Sequence, residues 1–382
     1  MAKLKKVILL LESSRAFGRD LLFGIGKYSR INGPWSFYWE PRGLKSSIPH
    51  LSKWKADGII MRNSLIKKEL LDLKLPTILA LHDTNRPANM PAICTNSESI
   101  SRLAANHLID IGLKNFAFCG YDDIEWSNDR KYYFKKIIEE AGFNIFLYNQ
   151  VTHVKQISWQ QEQINMRKWI QSLPKPIGIM ACNDDRGQQV LEVCKSLSIN
   201  VPEEIAVTGV DNDALICDLS DTPLTSVCLN TEQAGYAAAE QLDHMMNEKQ
   251  KNFNDIIVLG THIVQRQSTN ILAVNDKEVA EAIKFIRNNA KNKIQIKDVV
   301  KQTCLGKRSL ENRFKKTLHR TINQEIRRVR TEMIKQMLLE TNLSISEITS
   351  MFDFTSIEHI ARYFRKENGQ SLIQFRKISQ KV

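Results

Sequence analysis

Through the first 270 residues, short apolar runs alternate with longer amphipathic stretches. Residues 7–11, 58–61, 77–81, 116–119, 177–182 and 205–209 are apolar at nearly every position and rich in branched side chains, which predicts buried strands. Between them, residues 17–30, 99–111, 130–141, 185–197 and 231–246 place apolar side chains at the 3.6-residue helical period. Strands that are apolar on both faces and separated by helices indicate parallel sheets covered on each side, an α/β arrangement. Such sheets bind ligands beyond the carboxyl ends of their strands. Polar clusters fall at four of those ends: Glu12-Ser13-Ser14-Arg15, His82-Asp83, Asn183-Asp184-Asp185 and Asp211-Asn212-Asp213. Asp and Asn after a strand also cap the next helix, and Asp184 or Asp185 fits that simpler role.

The pattern changes near Asp276, after the connector STNILAVND, to a continuous helical one. Val279, Ile283 and Ile286 share one face, and Ile296, Val299 and Val300 another. In GKRSLENRFKKTL, Leu310 and Phe314 anchor a helix whose other side carries Arg308, Glu311, Asn312 and Lys315. The arrangement repeats: Ile345 and Ile348 on a short helix, a turn, then a helix with Ile360 and Phe364 inward and Glu358, His359, Arg362 and Arg365 outward. Residues 321–340, with Ile326, Val329, Met333, Ile334, Met337 and Leu338, predict a long helix joining the two units. Twenty residues span roughly 30 Å. That is close to the turn of about 34 Å separating successive major grooves on one face of a duplex.

Charge sharpens this division. Residues 276–382 hold 23 Lys and Arg against 12 Asp and Glu, while the preceding 275 residues hold 31 against 30. Nearly all of the net +12 therefore sits on the C-terminal quarter. A basic, regularly patterned module on a neutral body suggests a polyanion partner, because neutralising phosphates releases counterions. A solubilising tail would also be basic but would lack the apolar periodicity.

The chain of 382 residues, 42% hydrophobic with 16 Gly and 10 Pro, is long enough for two or three folded units and excludes a disordered or collagenous protein. The apolar run at residues 7–11 is far short of a membrane span, so neither membrane insertion nor secretion is expected. Seven cysteines with no C-x-x-C pair fit reduced core thiols and a cytoplasmic setting. Neither a metal nor a cofactor is expected. No G-x-S-x-G, Walker A, H-E-x-x-H or complete G-x-G-x-x-G occurs, and Gly24-Ile25-Gly26 lacks the third glycine. Adjacent Asp122 and Asp123 do not place two carboxyls across a scissile bond, so no catalytic residue is assigned.

The segments VILLLESSRAFGRDLLFGIGKYSR, HLIDIGLKNFAFCG followed by Arg130, GIMACNDDRGQQVLEVCKSLSINVPEEIAVTGVDND and TPLTSVCLNTEQAGYAAAEQL resemble the sugar-sensing domain of lactose-repressor-type regulators. The resemblance covers residues 5 to about 270 and implies a periplasmic-binding-protein-like sensor: two α/β subdomains joined by three crossings near Asn96, Leu229 and Ile263, with a small ligand between them. It implies ligand contacts at Arg130, Asn183 and Asp211, with Ser13, Arg15, Trp126 and Asp184 as further candidates. A sugar's vicinal hydroxyls donate and accept, and such carboxylates, amides and guanidinium beside an aromatic ring suit them.

The motifs RSLENRFKK, RTEMIKQMLLETNLSISEI and FTSIEHIARYFRKENGQSLIQFRK resemble the AraC/XylS family over essentially all of the module. This implies an all-α domain with two helix-turn-helix units, residues 273–382, following a sensor of residues 1–272. Base-reading positions match Arg308, Glu311 and Asn312 in the first unit and Glu358, His359 and Arg362 in the second, while Arg313, Lys315 and Arg365 suit phosphates. The sequence departs from the family pattern at Cys304, His319, Asp353 and Leu372, where glycine, a cap or proline is usual. Missing glycines imply altered turns or strain, and a carboxylate at Asp353 is expected to oppose DNA unless it caps the next helix. The combined arrangement resembles bacterial xylose operon regulators. It implies a dimeric, cytoplasmic activator answering D-xylose or a related pentose, with double-stranded operator DNA and RNA polymerase as partners. A same-architecture regulator of another sugar, or a sugar-modifying enzyme with a DNA-binding tail, are the alternatives.

Overall fold

The computed structural model describes residues 4–39, 54–62, 70, 72–80, 86–87, 90–150, 158–247, 253–270, 276–318, 320–341 and 343–381. Among the described residues, the body contains two six-stranded sheets. The first comprises β1 (Lys5–Leu10), β2 (Trp35–Trp39), β3 (Gly58–Arg62), β4 (Thr77–Ala80), β5 (Ala92–Thr95) and β11 (Ile256–Val258), in the order β11-β5-β4-β3-β1-β2 and parallel throughout. The second comprises β6 (Phe116–Cys119), β7 (Ile145–Leu147), β8 (Ile177–Ala181), β9 (Ile205–Val210), β10 (Thr225–Leu229) and β12 (Gly260–Val264), in the order β12-β10-β9-β8-β6-β7. Only its β10–β12 pair is antiparallel.

The fully apolar runs became the central strands, buried on both faces. The strands β2, β5, β7, β10, β11 and β12 were not assigned from the pattern, because their runs mix buried with partly exposed or polar positions or, in β7 and β11, are only three residues long. Seven helices accompany the sheets among the described residues: α1 (Ala16–Asn32), α2 (Ser97–Asp110), α3 (Glu125–Glu140), α4 (Trp159–Ser172), α5 (Asp184–Ser196), α6 (Ala214–Leu219) and α7 (Thr231–Met246). Helices α1 and α7 approach closely because both carry glycine at the contact. A Cβ at Gly24 would lie 1.9 Å from the Glu232 carbonyl, and one at Gly235 would lie 2.2 Å from that of Leu21. Gly24 is thus a packing glycine, consistent with its helical setting in the sequence.

The chain crosses between the sheets at residues 96, 230 and 259. Asn96 N donates to Val258 O at 2.8 Å, Asn230 N to Leu259 O at 3.1 Å, and Leu259 N to Asn230 Oδ1 at 2.6 Å. The third crossing comes before Ile263, which already belongs to β12.

Among the described residues, the regular elements of the C-terminal part are all helices: α8 (Lys277–Asn288), α9 (Ile296–Val300), α10 (Lys307–Leu318), α11 (Ile322–Glu340), α12 (Ile345–Met351), α13 (Ile357–Asn368) and α14 (Leu372–Lys381). It holds two cores. Val279, Ile283, Ile286, Val299, Leu310 and Phe314 close over the start of α11, while Ile348, Phe352, Ile360, Phe364 and Leu372 close over its end. Thr321 and Gln324 cap α11 reciprocally. Buried Arg330 ties the units together, donating to Asn292 O at 3.1 Å and to Phe352 O while lying over the Phe354 ring.

The sequence departures have local explanations. Asp353 takes φ 51°, so the left-handed turn remains, and Asp tolerates that region better than most residues. It does not cap α13, whose first turn is capped by Ser356 accepting from His359 N. Leu372 is buried in the second core, and Ser371 with Gln374 closes the helix start where proline is usual. Cys304 N donates to Glu278 at 2.6 Å, and His319 lies outside the described residues.

Candidate functional site: a cleft in the body and two exposed helices

A cavity opens between the two sheets at the carboxyl ends of their strands. It encloses about 120 Å³ and is lined by Leu11, Glu12, Arg15, Phe17, Gly18, Leu21, Arg62, Ala80, Thr95, Trp126, Arg130, Asn183 and Asp211. Both subdomains contribute. Of the residues expected at a ligand, Arg15, Trp126, Arg130, Asn183 and Asp211 meet here.

Trp126 and Arg130 are four apart on α3, so they share a face, and the guanidinium lies 4.8 Å from the indole centroid. Arg130 is buried, donates to Cys182 O and approaches Asp211 at 3.8 Å. Asp211 sits at φ 101° and Asn212 at φ 51°, a left-handed pair of non-glycine residues where β9 ends. Such strain persists only where neighbours hold it, and Asn212 N is fixed by Ser226 Oγ at 3.0 Å. Burial pushes the Asp211 carboxyl up to about 6, partly offset by Arg130. Asn183 both lines the cavity and caps α5 by accepting from Arg186 N at 3.0 Å.

Asp184 and Ser13 are not cavity-lining residues. Each Asp184 carboxyl oxygen already accepts a hydrogen bond, from Ser226 Oγ at 2.6 Å and Asp213 N at 2.7 Å, and burial raises its pKa well above the usual carboxylate range. It supports the loop that carries Asp211. Ser13 offers its carbonyl to Arg19. His82 and Asp83 lie outside the described residues. Asp122 is engaged by Lys131 Nζ and Gln150 N, both at 2.6 Å.

Sequence reasoning assigned no role to Arg62 and Phe17. Arg62 pairs with Glu12 across the rim. Its signal was its place at the end of an apolar strand; Phe17 gave none, since an aromatic at helical spacing reads as core. Across the cleft mouth, Arg15 meets Asp185 at 2.7 Å, while Asp213 accepts from Ala16 N and from Arg19, both at 2.7 Å. Loops of opposite subdomains are thus latched together, and Asp213 serves as a cap for α1 supplied from the other subdomain.

In the C-terminal part, α10 and α13 each turn a charged face outward. Arg308, Asn312, Arg313 and Lys315 are exposed with Glu311 half-buried, and Glu358, His359, Arg362 and Arg365 are all exposed. Arg313 also reaches Asp276 at 3.4 Å. The Ser356 hydroxyl holds the Glu358 carboxyl below its usual range. No helix among the described residues is long and apolar enough to cross a membrane, and no group of three or more His, Cys, Asp or Glu among them is placed to hold a metal.

Residues 105–269 match the periplasmic binding protein-like domain family and residues 299–378 the helix-turn-helix domain family. The xylose operon regulatory protein of Haemophilus influenzae is 30% identical over 380 residues, 97% of this chain and 98% of its own. That of Escherichia coli K12 is 28% identical over 389 residues, 100% and 99% respectively. The solved structure of the xylose-binding transcription activator XylR superposes with a TM-score of 0.63 at 27% identity, covering 99% of both chains. Fold and exposed helices together define a sugar-sensing transcription regulator, with a periplasmic-binding-protein-like domain ahead of an AraC-type helix-turn-helix domain. Within that class, the chain belongs to the xylose operon regulatory protein family.

Proposed function

We propose that the protein is a cytoplasmic, dimeric activator without catalytic activity, whose cleft binds D-xylose or a related pentose and whose module binds operator DNA to recruit RNA polymerase. The observation that carries this reading is the cavity itself, where Arg130, Asp211 and Asn183 converge beside Trp126. Arg15, Arg62 and Arg130 each already face a carboxylate, Asp185, Glu12 and Asp211 respectively, so no guanidinium is left to demand an anionic ligand. A neutral polyol fits that balance. On the DNA side, Arg308, Glu311, Asn312, Glu358, His359 and Arg362 read bases, while Arg313, Lys315 and Arg365 hold phosphates. Sugar closes the cleft by binding its closed form more tightly, and closure changes how two modules of a dimer meet DNA.

Calorimetric titration of the full chain with D-xylose, L-arabinose, D-ribose and D-glucose tests the ligand. Saturable binding of one pentose, weakened in Asp211→Asn, is expected; binding of none of the four would overturn the sugar assignment. Product analysis after incubation with each sugar tests the absence of catalysis, and turnover would contradict it.

A further inference from the structure

The two halves of the protein meet at the end of α2, in a network of charges that includes no cavity-lining residue and none on α10 or α13. Asp110, the last residue of α2, receives Arg320 Nη1 at 2.9 Å and Arg328 Nη1 at 3.1 Å, and Arg320 Nη2 also takes the Asp110 carbonyl at 3.0 Å. Guanidiniums at a helix C-terminus meet both a carboxylate and the negative end of the helix dipole. Both arginines are gripped from behind by Glu325 of α11, whose side chain is 1% exposed: Arg320 Nε lies at 2.6 Å and Arg328 Nη2 at 2.8 Å. Arg287 of α8 completes the cluster, and burial lowers its pKa to about 10. One turn back along α2, His107 Nε2 lies 2.7 Å from Thr269 Oγ1. Burial, with Arg287 and Arg328 nearby, pushes this imidazole down to about 3, so it stays neutral.

The other end of α2 lies in the hinge. Its cap, Asn96, is the first crossing, and Ser99 Oγ accepts from Gly260 N at the third. Its middle rests on α3, where Ser101 Oγ donates to the carbonyl of Arg130, the residue that faces the cavity. One stiff helix, roughly 20 Å long at 1.5 Å per residue, thus touches the hinge, the cavity helix and the DNA-binding module. Charged, directional contacts keep the module in register with α2 better than a smooth apolar face would, while remaining open to rearrangement.

We propose that α2 is the lever, and Asp110 with Arg320 and Arg328 the joint, through which cleft closure reaches the DNA-binding module. The transmission half of this proposal rests on the sugar reading given above; the joint itself does not. Neither Asp110 nor Arg328 lines the cavity or lies on α10 or α13, so replacing them separates coupling from binding.

The test uses the full chain as wild type, Asp110→Asn, Arg328→Gln and the double variant. It reads affinity for a duplex selected by the wild-type chain from a random library, with and without saturating D-xylose. Each variant is expected to keep sugar affinity and sugar-free duplex affinity within about twofold of wild type, while the ratio of duplex affinities with and without sugar falls toward one. The double variant should match the single ones, as residues of one joint do not add. Wild-type coupling retained in Asp110→Asn and Arg328→Gln would overturn the lever. Scanning calorimetry without any sugar reads the joint independently: the variants should separate the melting of sensor and module, and a trace unchanged from wild type would overturn the joint. A wild-type chain whose duplex affinity ignores D-xylose would count against the sugar reading, and the calorimetric result would still decide the joint.

Discussion

The cleft and the DNA face use the same residue types in opposite ways. In the cleft, Arg130 is buried, stacked on Trp126 and held near an Asp211 whose backbone is strained, so these two charged groups are already held in place. On α10 and α13, Arg308, Lys315, Arg362 and Arg365 stand in solvent on rigid helices. A small neutral ligand offers few contacts, so its site must carry the ordering cost in advance. A polyanion supplies its own field and needs only charges held in register. The contrast teaches that the cleft holds strain at the expense of stability while the DNA face holds none: the cleft is tense, the DNA face relaxed.

The largest break in this comparison is expected from Arg130→Ala. It leaves Cys182 O and Asp211 without their guanidinium, so the chain should lose about 3 to 5 kcal/mol in urea unfolding and all measurable sugar binding. Asp211→Asn should instead separate stability from function. A carboxyl near 6 in the fold and 3.8 otherwise means that ionised Asp211 costs the folded chain about 3 kcal/mol at neutral pH. The amide should raise the melting temperature while weakening sugar affinity about 10- to 100-fold, by removing a charged acceptor. A lowered melting temperature would show that the carboxylate is not strained.

On the relaxed side, Arg308→Ala should weaken specific duplex binding by about 1 to 3 kcal/mol, relax one base pair and leave the melting temperature unchanged. Lys315→Ala should weaken all duplexes alike and reduce the salt slope by about one. Equal, sequence-independent losses from both would erase the division between base readers and phosphate anchors.

The Asp211 cost of about 3 kcal/mol can also be read in pH. Between about pH 4 and 6 the folded chain keeps a proton on Asp211 that the unfolded chain has released, so this group's contribution to stability falls as pH rises through that window. On the proposed sugar reading, binding should run the other way, because an ionised carboxylate is the stronger acceptor for a hydroxyl. Affinity for D-xylose should therefore decline as pH drops below about 6, and this decline should vanish in Asp211→Asn.

The parts legible in the sequence were those with a local signature. Central strands were apolar on both faces, Trp126 and Arg130 sat one helical turn apart, and the paired anchors Leu310–Phe314 and Ile360–Phe364 announced two similar helices. Asp211 was legible as a polar residue ending such a strand. The latch of Asp213 on Ala16 N and the joint of Asp110 with Arg328 were not, because each partner lies about 200 residues away and reads locally as an ordinary helix cap or solvated charge. Arg330 was hidden likewise, since a basic residue in a basic module gives no sign that it rivets two cores.

Linkage gives the most direct test of the central claim that one chain senses a sugar and grips DNA as a coupled device. D-xylose affinity of the full chain should be measured with and without a saturating selected duplex. A shift equal to the factor by which D-xylose changes duplex affinity is expected. Identical D-xylose affinities in the two conditions, with both partners bound, would contradict it.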